Sequence, residues 1–145
     1  MTRLKGRGRE IAAALLGISV AAILWLTLFR RETIVGDSFA YRPFHSLLSF
    51  WSSISKQGIR GNFLGNILIF MPIGLLYPIA FTPIEQRIFS TIMFGVALSF
   101  LVELSQLVFS KGYFDLDDIL LNTLGTVIGF ILYVAIYHRC RIKPN

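Results

Sequence analysis

Four apolar runs, each about the length that crosses a lipid bilayer, restrict this chain more than any other feature. Ile11–Phe29 is 19 residues without a charge. Three more follow: about Asn62 to Thr82, Ile88 to Phe109, and Asp118 to Tyr137. At roughly 1.5 Å of rise per residue, each spans a hydrocarbon core of about 30 Å when helical. In lipid the backbone must satisfy its own hydrogen bonds, so the expected architecture is an all-α integral membrane four-helix bundle. Composition agrees: 54% of residues are hydrophobic, 15% are charged, and the mean hydropathy is +0.67, outside the range of an ordinary soluble domain.

The first run competes with a cleaved signal peptide, since Arg3, Lys5, Arg7 and Arg9 form a basic leader. Its length, and its end in Leu28-Phe29-Arg30-Arg31 with no small-residue cleavage site, favour a retained helix. The chain then divides into a basic N-terminus (1–10), a first transmembrane helix (11–29), an interfacial or re-entrant segment (30–61), a three-helix core (62–137) and a basic tail (138–145). Only Thr82–Arg87 separates the second run from the third, so those two form a tight antiparallel hairpin. Pro72 and Gly74 are expected to kink the second helix.

The net charge of +6 arises from 14 basic and 8 acidic residues. The cations lie at the termini and in connections, without the aromatic interleaving of a nucleic-acid reader, and no nucleic-acid partner is expected. Topology accounts for them better. Four crossings place both basic termini on one side, and the positive-inside rule makes that side cytoplasmic. The expected localisation is a membrane crossed several times, with the basic termini at its cytoplasmic face. The segment 30–61 and the acidic connection before the fourth run then face outward. Trp51 and Tyr41 in the former suit headgroup depth. The single cysteine, Cys140, excludes an intramolecular disulfide.

Polar residues inside the apolar runs carry the functional signal. Ser99, Glu103, Gln106 and Ser110 fall at intervals of four, three and four, which is one stripe of a helix. Asp118, Asn122, Gly125 and Gly129 repeat the same spacing in the fourth run, the two glycines forming a G-x-x-x-G that permits close packing. The second run opens with Asn62 and Asn66 one turn apart. These stripes meet in the outer third of the bundle, whereas the inner two thirds is nearly devoid of hydrogen-bonding side chains. The expectation is an outward-facing polar pocket lined by Asn62, Asn66, Glu103, Gln106, Asp115, Asp118 and Asn122, with Arg42 at its mouth.

Each residue also has a plainer reading. Asp115 or Asp117 can cap the fourth helix, and Asn62 and Asn66 can cap and pack the second. Glu103 is harder to explain that way, because a carboxylate at mid-membrane costs about 2.5 to 3.5 kcal/mol on insertion scales. It needs a cationic partner, with Arg42, Arg60 and Lys111 as candidates, or a proton, or water.

The blocks Arg42-Pro43-Phe44, Gly61–Pro78 (G-N-F-L-G-N-I-L-I-F-M-P-I-G-L-L-Y-P), Val102–Gln106 and Phe114–Gly125 (F-D-L-D-D-I-L-L-N-T-L-G) resemble the VanZ-like family of small bacterial membrane proteins. The first helix matches only in type. Many such sequences carry an arginine just before the F-D-x-D-D block, where this chain offers Lys111, Gly112 and Tyr113. A lysine there does not offer the bidentate guanidinium that an arginine would. The resemblance implies a setting in the cell envelope, with resistance to teicoplanin-type lipoglycopeptide antibiotics as the founding association, and no defined reaction.

Two functions fit. The first is binding: membrane lipids surround the bundle, and the pocket holds the headgroup of a lipid-linked cell-wall precursor or a lipoglycopeptide antibiotic, whose hydroxyls and amides suit Asn, Gln and carboxylate groups. The second is metal-dependent catalysis on a phosphate or glycosyl group, with Glu103, Asp115, Asp117 and Asp118 holding Mg²⁺ or Ca²⁺ and Glu103, Asp117 or Asp118 as catalytic candidates. The chain has no phosphate loop, His pair at metal spacing or nucleophile–base set, which favours binding over an enzyme. A third, transport, lacks a polar path through the inner half.

Overall fold

The computed structural model describes residues 6–29, 60–81, 87–111 and 114–142, with side chains of 60–63 and 138–142 excepted. Four helices occupy them: α1 (Gly6–Phe29), α2 (Arg60–Ala80), α3 (Arg87–Val108) and α4 (Leu116–Ile142). The segment expected to lie at the interface falls outside the described residues, except for the start of α2.

Three helices are long and apolar enough to cross a membrane: α1, α3 and the Leu116–Tyr137 part of α4. In α2 the described apolar stretch is shorter, Leu64–Ala80. The chain is thus an all-α bundle of membrane-spanning character. Its outward faces confirm the solvent they are built for. Large apolar side chains such as Ile18, Phe29, Phe89, Val108 and Ile131 stand more than half exposed around the bundle. Such a surface is untenable in water and ordinary against lipid tails.

The pairings follow from contacts between named atoms. Arg9 donates from Nε and Nη2 to the Ala80 carbonyl, tying the start of α1 to the end of α2. Ser99 and Asn122 meet across α3 and α4, as do Arg87 and Tyr133 further along, so those helices run antiparallel. Asn66 reaches Asp118, and Gly125 and Gly129 lie against the carbonyls of Ile67 and Met71, so α2 and α4 run parallel. The start of α1, the end of α2, the start of α3 and the end of α4 therefore share one end of the bundle, here the basic end. The opposite end carries the aspartates and is the acidic end.

Glycine sets the α2–α4 separation. A Cβ on Gly74 would stand 1.9 Å from the Thr126 carbonyl, on Gly125 2.2 Å from that of Ile67, and on Gly129 2.0 Å from that of Met71. Backbone touches backbone along this seam, the packing that substitutes in lipid for a hydrophobic driving force. Gly74 thus serves the seam. The helix α2 runs on unbroken through Pro72 and Pro78. Beside the seam, Leu16, Ile23, Phe70, Ile73, Leu98 and Val102 form the apolar core between α1, α2 and α3.

Candidate functional site

At the acidic end the turn between α3 and α4 is fixed by its own backbone. Ser110 has φ of 54°, its N–H donates to the Leu107 carbonyl, and the Lys111 N–H donates to the Gln106 carbonyl at 2.8 Å. This pair of bonds is the Schellman arrangement that closes a helix with one left-handed residue. Ser110 is thereby drawn out of the α3 stripe that its spacing suggests and becomes the stop signal of the helix.

Asp115 begins the next helix. Its Oδ1 accepts the Asp117 N–H at 2.9 Å, which makes it the N-cap of α4. Its own N–H donates to Glu103 Oε2 at 2.9 Å. Glu103 thus performs from α3 what the third helical residue of a capping box performs within one helix. Phe114 packs edge-on against Phe100 of α3 and holds the entry of the chain into α4.

Deeper in the bundle, Asn66 Nδ2 donates to Asp118 Oδ1 at 2.5 Å, and Asn122 Nδ2 donates to Ser99 Oγ at 2.9 Å. The stripes of α2, α3 and α4 therefore converge as direct contacts. Glu103 and Gln106 are 1% exposed, Asp117 0% and Asn122 3%. Among these side chains the Asn122 Oδ1 is a buried acceptor without a hydrogen-bond partner among the described residues. An amide oxygen left so in an apolar interior costs about 1 to 3 kcal/mol. Such an atom is a place where a water or ligand donor is gained at little expense.

Of the residues expected to line a pocket, Asn66, Glu103, Gln106, Asp115, Asp118 and Asn122 come together at this end, with Asp117 in the first turn of α4. Arg42 lies outside the described residues, as does the Asn62 side chain. Among the described residues, no group of three or more His, Cys, Asp or Glu side chains is arranged to hold a metal ion.

Two buried residues escape the stripe argument. Thr126, 0% exposed, lies one turn below Asn122, returns its hydroxyl to the Asn122 carbonyl, and fills the space left by Gly95. Thr91 returns its hydroxyl to the Arg87 carbonyl. A threonine bonded to its own helix gives no polar signal in the sequence beyond its spacing, and position i+4 from Asn122 was the available clue for Thr126. The basic end holds the second polar feature: Arg87 donates to the Tyr133 hydroxyl and lies over the rings of Tyr133 and Tyr137.

Long apolar helices, lipid-facing side chains on every side and polar contacts turned inward define an integral membrane protein. The chain belongs to the VanZ/LLP1 family, whose model matches residues 16–137. It is 30% identical over 129 residues to Protein VanZ of Enterococcus faecium, covering 87% of this chain and 75% of that one. No solved structure matches significantly.

Proposed function

We propose that this chain is a multi-pass protein of the bacterial cytoplasmic membrane, with both termini cytoplasmic, that binds a lipid-linked or glycan headgroup in a polar pocket of the outer leaflet. Asn62, Asn66, Glu103, Gln106, Asp118 and Asn122 are its lining, Asp115 shapes the rim, and Arg42 meets an anionic part of the ligand. Its physiological setting is the cell envelope and resistance to lipoglycopeptides of the teicoplanin type, in keeping with its family.

The observation that supports this reading most directly is the junction of three helices at one end through Asn66–Asp118 and Ser99–Asn122, beside the buried Asn122 Oδ1, which has no hydrogen-bond partner among the described residues. Buried amides and carboxylates are expensive in lipid, and a site for hydroxyl- and amide-bearing ligands is what such a set can do. Asp115 is engaged as a helix cap and Asp118 with Asn66, which favours recognition by hydrogen bonds over metal chemistry.

Glu103→Gln and Asp118→Asn variants, expressed at matched levels in a teicoplanin-sensitive host, test the site. Loss of protection in both, with membrane insertion intact, is the expected outcome. Protection by both equal to that of the unaltered chain would refute it.

A further inference from the structure

The basic end of the bundle is a second surface, unrelated to the polar cluster. The helices α1 and α4 both run past their apolar parts there. The uncharged run of α1 starts at Ile11, yet the helix starts at Gly6. The membrane-length part of α4 stops at Tyr137, yet the helix continues to Ile142. Each overhang is five residues, roughly 7.5 Å of helix, the depth of a headgroup layer rather than of hydrocarbon.

Both overhangs are basic. Arg7 and Arg9 lie on the first, Arg139 and Arg141 on the second, and Arg87 opens α3 at the same level. Glu10 is the acid among the described residues of these overhangs. Beneath the arginines, Tyr77, Tyr133 and Tyr137 form ring contacts, Tyr77 stacked on Phe94 and Tyr133 on Tyr137. Tyrosine at this depth marks the boundary between hydrocarbon and headgroups. These helix positions accordingly fall at the level expected for lipid phosphates.

We infer that this arginine collar is a binding surface for anionic phospholipid headgroups, gripping the phosphates of the leaflet that surrounds the basic end. Arg9 and Arg87 are committed to Ala80 and to Tyr133, so they set the shape of the collar. Arg7, exposed on α1, and Arg139 and Arg141 on α4 supply its charge. The inference is independent of which side of the membrane the basic end faces and of what the acidic end binds.

The test is lipid-dependent thermal stability of the whole chain in neutral detergent micelles, titrated with phosphatidylglycerol or with phosphatidylcholine. Phosphatidylglycerol is expected to raise the unfolding midpoint at lower concentration, and 0.5 M NaCl is expected to abolish the difference. An Arg7→Gln, Arg139→Gln, Arg141→Gln variant should keep its midpoint in phosphatidylcholine and lose apparent affinity for phosphatidylglycerol by about fivefold per arginine removed. Equal response to both lipids would overturn the inference, as would a preference that persists in high salt or in the triple variant. The salt arm decides the matter in the unaltered chain even when the variant folds poorly.

Discussion

Asp115 is bonded twice, through its side chain to the first turn of α4 and through its N–H to Glu103, so a single residue joins two helices. The neighbouring acids have other tasks: Asp118 answers Asn66, and Asp117 lies buried in the first turn, where the positive end of the helix dipole favours a carboxylate. If Asp115 acts as a cap, Asp115→Ala should cost about 1 kcal/mol of stability, while Asp115→Asn, an equally good cap, should cost little. Chemical or thermal unfolding in detergent distinguishes them. Equal losses would mean that the charge, and not the cap, is what the position requires.

The element scale is governed by the α2–α4 seam. Gly74→Ala, Gly125→Ala and Gly129→Ala each press a methyl group into a backbone carbonyl, so each should destabilise by about 1 to 3 kcal/mol, the usual cost of overpacking. Gly17 and Gly65 meet no neighbour among the described residues, and alanine there should be neutral or stabilising by about 0.5 to 1 kcal/mol through helix propensity. Unfolding midpoints of the five variants, ranked, check the seam, and an unharmed Gly125→Ala would contradict it. Much of this scale is legible from spacing: the four apolar runs give the helices, and the G-x-x-x-G gives one side of the closest contact. The rest is not. Gly74 beside Pro72 suggests a kink, and only the partner helix reveals that its missing side chain makes room for Thr126. Ser110 fits the polar stripe by number and leaves it because α3 ends in a left-handed residue, a backbone event that periodicity does not encode. The convergence of Asn66 with Asp118 depends on α2 and α4 being parallel neighbours, information carried by the packing of distant segments.

On the scale of the whole molecule, the bundle keeps an apolar core and departs from a soluble protein in its rim, which is apolar as well. Trp25 is 60% exposed and stacks on Phe29 of the same helix. In a Trp51→Phe background its fluorescence should be strongly quenched by lipids brominated along their acyl chains. An aqueous quencher such as iodide should reach it poorly. The reverse order would remove α1 from the hydrocarbon.

The parallel pairing of α2 with α4 also governs how the molecule comes to be assembled. Some 35 residues separate the two helices in the chain, and α4 leaves the ribosome after the other three. Until it arrives, Asn66 has no Asp118, Ser99 has no Asn122, and the groove over Gly74 is open to lipid. Without α4, the earlier helices lack these partners for their polar groups. The polar contacts to α4 and the glycine seam can form only once α4 has entered, so the last helix made is the one that completes the bundle.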